Sequence, residues 1–316
     1  MELKFLTFSL LLVTLYSFSC SQRTDIRYDD KRQNTSSEES RKVKSPLEDI
    51  EEVFDNMNYE SVISRYSPAV GAGFSITKFQ YFVVFSNLDE DLTYRLIDND
   101  VRHASLAMTN HFVANLPDSV TPIFLFGDFD SYRNFSISNF KIDEDDLSPF
   151  GFYKISKNAI VIRYVSWKGS IAHEITHVFI QHDFPGIPSW FNEGLASLHE
   201  KSTYKNGELV GDFSWRILSL RRAFRESSYT GLKTLMQTND KELYGKKSPF
   251  YYAQARFLFM YLQEKGLLYE YYLSFRDSFE RDETGIKQLE NVSGKKLSEL
   301  DEELKEYIQS FKQEWR

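Results

Sequence analysis

Gly169-Ser170-Ile171-Ala172-His173-Glu174-Ile175-Thr176-His177, followed one loop later by Pro188-Ser189-Trp190-Phe191-Asn192-Glu193-Gly194-Leu195-Ala196, decides how this chain is read. A helix over the first half sets His173 and His177 one turn apart on one face, so both imidazoles reach a single metal ion. Glu174 follows the first histidine and leans toward the open side of such a metal, where it can take a proton from water. A catalytic zinc needs a third protein ligand and an open fourth position, and Glu193, at the start of a second helix, is the candidate ligand. With six histidines in the chain, a chance His-Glu-x-x-His is expected roughly once in a hundred such sequences. The plain alternative is a histidine pair packed on a helix with Glu174 solvated; another is a degenerate site that holds metal without turnover.

Read together, His173-Glu174-Ile175-Thr176-His177 and Trp190-Phe191-Asn192-Glu193-Gly194-Leu195-Ala196 resemble the gluzincin metallopeptidases, and within them the peptidase MA-like family of bacterial exported proteins. The resemblance implies an α+β fold: a zincin-like catalytic unit, made of a small mixed sheet and the active-site helix, then a mostly helical C-terminal part. It implies Zn²⁺ held by His173, His177 and Glu193, with Glu174 as general base in peptide-bond hydrolysis. Aminopeptidases of the N type carry a similar block, but here only 15 residues separate His177 from Glu193, fewer than in those enzymes, and no Gly-Ala-Met-Glu-Asn segment occurs. Gly71-Ala72-Gly73 lacks the acidic residue that holds a free substrate amine. An endopeptidase is therefore expected, with an aminopeptidase as the alternative. The metzincin variant is excluded, since Ile180 and Asp183 occupy its glycine and histidine positions and His182 is off by one.

Ser248-Pro249-Phe250-Tyr251-Tyr252-Ala253-Gln254-Ala255, running on to Tyr261-Leu262, resembles the Tyr-Ala-Gln-Ser helix of peptidase MA-like proteins. In related zinc peptidases a tyrosine from this region donates a hydrogen bond to the developing oxyanion, which makes Tyr252 the candidate. Among 19 Tyr and 27 Phe, a core role is its alternative. Asn192 is expected to orient the Glu193 turn, and Ser197 to hydrogen-bond a ligand imidazole. Trp190 reads as a core anchor, and His182 and His199 as structural or solvated. His103 and His111, two turns apart, are too distant for one metal and read as ordinary helix residues.

Met1 to Ser19 carries an early Lys4 and an apolar run to Phe18, an export signal too short to span a bilayer comfortably. Cys20 is the only cysteine, so no intramolecular disulfide forms. Its place just after the apolar run resembles a bacterial lipoprotein signal, which implies lipid attachment to Cys20 and a membrane partner. Ordinary signal cleavage, which Ser17 and Ser19 suit equally, is the alternative. Residues 20–45 read as a disordered polar tether. Residues 21–45 carry seven basic and five acidic side chains, which leaves a net charge of −10 from Pro46 onward. Nucleic acid is not an expected partner of so acidic a domain; a peptide or protein substrate is. An exported binding module, with metal only as a staple, is the reading from a different class.

Residues 46–200 are expected to form the catalytic unit and 201–316 the helical part packed on it. Pro46 to Tyr59 reads as a short acidic helix, Phe79 to Ser86 as one buried strand, Asp89 to Ala114 as a helix and Thr121 to Phe126 as a strand. Asp128-Phe129-Asp130 opens a short helix, and Asp143 to Asp146 is a solvated acidic loop. Phe150 to Ile155 and Ala159 to Val165 read as a strand pair. The second of these feeds the histidine helix, and resemblance to gluzincins implies that it is an edge strand holding an extended peptide. Asn206-Gly207 signals a hairpin within Tyr204 to Phe213. Helices are expected over Ser214 to Arg225, Pro249 to Lys265, Leu267 to Phe279 and Ser298 to Gln313, with a short one inside Asp282 to Gly294.

Overall fold

The computed structural model describes residue 54, residues 57–165 and residues 169–311. The signal, the tether and most of the helix expected over residues 46–59 lie outside the described residues. Helix α1 (Tyr59–Val70) precedes strands β1 (Ser75–Phe79) and β2 (Phe82–Ser86). Helices α2 (Glu90–Leu96) and α3 (Arg102–His111) are joined by a π turn at Ile97–Val101. Strand β3 (Thr121–Phe126), helix α4 (Phe129–Phe140) and strands β4 (Gly151–Lys154) and β5 (Ala159–Arg163) complete the sheet region. The protein is α+β, with a small mixed five-stranded sheet and a mostly helical C-terminal part.

The sheet runs in the order β1-β2-β3-β5-β4. Its three inner strands are parallel, and β1 and β4 close the two edges antiparallel. Alternation along the inner strands divides the apolar side chains between two faces, as a pleat of period two requires. Phe82, Val84, Ile123, Leu125, Ile160 and Ile162 face one cluster, while Val83, Phe85, Phe124, Phe126 and Val161 face the other. Tyr66 of α1 and Tyr132, Phe135 and Phe140 of α4 cover the second face. Buried on both sides, the inner strands read as continuous apolar runs.

The first face takes α3 together with helices α5 (Ser170–Asp183) and α6 (Ser189–Glu200). Hairpin β6 (Ser202–Lys205) and β7 (Glu208–Gly211) turns at Asn206-Gly207, both residues at positive φ, as a type I′ turn needs. Then come α7 (Ile217–Arg225), α8 (Leu232–Met236), α9 (Asp240–Leu243), α10 (Ser248–Glu264), α11 (Leu268–Ser278), α12 (Ile286–Ser293) and α13 (Leu297–Ser310). Their apolar faces join the α5–α6 side of the sheet in one core cluster. Two glycines permit close approaches around α6. A Cβ at Gly169 would lie 1.8 Å from the Glu200 carbonyl oxygen, and one at Gly194 would lie 2.7 Å from both Ala255 and Phe259 on α10. The glycine that follows Glu193 is thus where α6 presses onto α10.

Two expectations need correction, and three helices go beyond them. The strand read over Phe79 to Ser86 is interrupted: β1 ends at Phe79, Gln80 turns the chain at φ 48°, and β2 begins at Phe82. No turn residue marks the place; the Tyr59 hydroxyl, donating to the Gln80 carbonyl at 2.5 Å, holds the turn from across the fold. The 12-residue α1 and the short α8 and α9 had no counterpart in the sequence reading. Finally, β5 is an inner strand flanked by β3 and β4, so the edge beside the histidine helix is β4.

Asp183 fastens the far end of α5. Its buried carboxylate accepts from the main-chain N–H groups of Ala114 and Asn115, from the Tyr272 hydroxyl at 2.9 Å and from Arg276 at 2.9 Å. Burial would push this carboxyl up, but Arg276 and the other donors hold it below the usual range, so it stays ionised.

Candidate metal centre

His173 and His177 project from adjacent turns of α5, and Glu193 from the first turns of α6. Glu193 Oε2 lies 3.4 Å from His173 Nε2 and 3.6 Å from His177 Nε2. One ligand atom from each residue falls within 4.8 Å of the others, the sole such group of three among the described residues. These spacings are long for hydrogen bonds, which run about 2.7–3.2 Å. They are compatible with a metal site: tetrahedral zinc with bonds of about 2.0–2.1 Å would set its ligand atoms roughly 3.3–3.5 Å apart. Two imidazole nitrogens and one carboxylate oxygen are also a donor set that suits zinc.

The surrounding bonds orient these side chains. Asn192 Oδ1 lies 2.8 Å from His177 Nδ1. An amide oxygen only accepts, so Nδ1 carries the proton and the Nε2 lone pair faces the site. Asn192 therefore orients His177, where the sequence reading had given it the Glu193 turn. Ser197 does not serve a ligand imidazole: its hydroxyl is buried without a partner, and its carbonyl accepts from Arg256. Tyr244, which the sequence reading missed, donates its hydroxyl to Glu193 Oε1 at 3.0 Å. Nothing in Lys241-Glu242-Leu243-Tyr244-Gly245 distinguishes it from the other tyrosines.

His199 is structural. The Thr176 hydroxyl donates to the Ala172 carbonyl at 2.7 Å, so His199 Nδ1 must donate to Thr176 Oγ1 across 2.8 Å. Burial, with Arg256 and His173 adding repulsion, pushes the His199 imidazole down to about 3 and keeps it neutral. Trp190 is fully buried in the core. His103 and His111 stack on Tyr204 and Tyr269, and His182 sits 3.8 Å from Asp118.

Glu193 is buried, which would raise its carboxyl, yet His177, His173 and the Tyr244 hydroxyl bring it down to about 2. It is ionised at neutral pH. Glu174 is 8% exposed, and burial holds its carboxyl above the usual range against the pull of the two imidazoles and the Tyr153 main-chain N–H. Burial and the Glu193 charge raise the phenols of Tyr244 and Tyr252, so both remain hydrogen donors.

These groups line a cleft of about 380 Å³. Phe152, Tyr153 and Ile155 of the β4 region form one wall; Tyr252, Arg216 and Glu200 stand in another. Arg216 donates twice to Glu200 Oε2, at 2.8 and 2.6 Å, and its guanidinium lies 5.2 Å over the Tyr252 ring. Among the described residues no strand pairs with the outer edge of β4, and Gly151, Phe152 and Tyr153 of that strand line the cleft. No protein-family model matches the chain, and no curated protein matches it.

Proposed function

We propose that the protein is a zinc metallopeptidase of the gluzincin type, resembling the peptidase MA-like family, and that it cleaves peptide bonds within chains outside the cytoplasm. The observation that carries this reading is the convergence of His173 Nε2, His177 Nε2 and Glu193 Oε2 in an open cleft with Glu174 beside them. Bound there, Zn²⁺ would supply Lewis acidity, making water a nucleophile near neutral pH and polarising the scissile carbonyl. Glu174 accepts the proton of the attacking water and returns it to the leaving amine. The Tyr252 hydroxyl, on a stiff helix and protonated, donates to the carbonyl oxygen as charge develops there. The substrate lies extended along the β4 edge, which no strand covers among the described residues.

Metal content tests the ligand set directly. The purified full-length protein should carry about one zinc per chain, lost in His177→Ala and in Glu193→Ala. Full retention of zinc in both variants would sink the assignment.

Cys20 lies outside the described residues, and no helix among those described is long and apolar enough to cross a membrane. Attachment to a membrane is proposed to run through a lipid on Cys20. Cys20→Ala should then move the protein from the membrane to the soluble fraction. Unchanged membrane association would show that something other than a Cys20 lipid provides the anchor.

A further inference from the structure

We infer that Tyr244 is a positioning residue that fixes which oxygen of Glu193 faces the imidazole pair; this rests on the metal-site reading above. Glu193 divides its two oxygens. Oε2 is the atom shared between His173 and His177, and Oε1 turns away to the Tyr244 hydroxyl. A carboxylate pinned in this way presents one oxygen to a metal and cannot swing to present both.

What holds Tyr244 in place is unlike what holds a core tyrosine. It is 53% exposed, so packing alone does not set its position. It follows the four-residue α9, which is closed by a reciprocal Asn239–Glu242 cap. The Ser189 hydroxyl donates to Asp240 Oδ1 at 2.6 Å. Ser189 opens α6 one turn before Glu193, so the segment bearing Tyr244 and the helix bearing Glu193 are tied at two points a turn apart. Tyr252 comes from the long α10 and lies under Arg216, and the Glu193 charge acts on its phenol as well. Tyr244, whose hydroxyl reaches Glu193 Oε1 at 3.0 Å, is the one that fixes the ligand.

The test compares the full-length wild type, Tyr244→Phe and Ser189→Ala. Zinc affinity is read by competition with a chromophoric chelator, ligand geometry by the visible spectrum of the cobalt-substituted protein, and stability by the Tm of the metal-free form. Tyr244→Phe should weaken zinc binding roughly 10- to 100-fold, as loss of a hydrogen-bond partner to a metal ligand does elsewhere. Its cobalt bands should lose intensity as the freed carboxylate becomes bidentate, while the metal-free Tm stays at the wild-type value. Ser189→Ala should shift affinity in the same direction by less. Zinc affinity within twofold of wild type in Tyr244→Phe, or a loss that merely follows a lowered metal-free Tm, overturns the inference and leaves the metal site standing. A wild type that binds no zinc overturns both, and does so before any variant is read.

Discussion

Glu174→Gln should retain one zinc per chain and lose at least about a hundredfold in peptide hydrolysis, the scale of a general-base contribution. The amide fills the same space beside the imidazoles and keeps its neighbours, but it cannot take a proton from water. The residue is singled out by place as well as type. It follows His173 on α5, is buried at the cleft and lies against the Tyr153 main chain of β4, between the candidate metal site and the strand proposed to hold the substrate. Glu193 is committed to the imidazoles and Glu200 to Arg216, so Glu174 is the cleft glutamate without a charged partner of its own. The measurement uses paired peptides, N-acetylated and free, with wild type and Glu174→Gln. Wild type should cut both kinds, since the sequence lacks a segment to hold a free amine. Equal turnover by the variant would replace the hydrolase reading with a binding module, and strict dependence on a free amine would favour an aminopeptidase.

The convergence of His173, His177 and Glu193 could be read from spacing, because a helix fixes i and i+4 on one face and the loop to α6 is short. Strands with apolar runs, such as Thr121–Phe126, and caps such as Asp128 were legible for the same local reason. Contacts made across the fold were not. The Gln80 turn depends on the Tyr59 hydroxyl, and nothing near Gln80 announces it. Asn192 was assigned to its neighbour in sequence, whereas its amide reaches a histidine 15 positions back. Tyr244 reaches Glu193, 51 positions away, from a half-exposed turn, which neither periodicity nor capping pattern marks. The edge position of β4 is a matter of strand order, and strand order is invisible to a reading that sees β4 and β5 only as a hairpin.

Arg256→Met should cost about 3–5 kcal/mol of stability, a Tm loss of roughly 10 °C for a unit of this size. Arg256 has no exposed surface and stands in the middle of α10. Its guanidinium donates to the carbonyls of Ser197 and Leu198 in the last turn of α6, and to those of Lys201 and Asp212 that bracket the β6–β7 hairpin. Burial pushes the guanidinium down to about 9, with Glu200 pulling the other way, so it stays charged at neutral pH. A cation at this end of α6 also meets the negative pole of the helix. Methionine would fill much of the same volume but leave carbonyls in the core without donors, and that desolvation loss dominates the estimate. Lys201 is the mildest case, since its carbonyl keeps the Asp212 N–H at 2.9 Å. Arg256→Lys separates charge from geometry: a single ammonium retains the charge but cannot serve carbonyls spread around a planar fork. It should therefore recover only part of the loss. Full recovery by lysine would assign the effect to charge alone, and a methionine variant within about 1 kcal/mol of wild type, less than the usual cost of one unpaired buried carbonyl, would remove Arg256 as the clamp between α6 and α10.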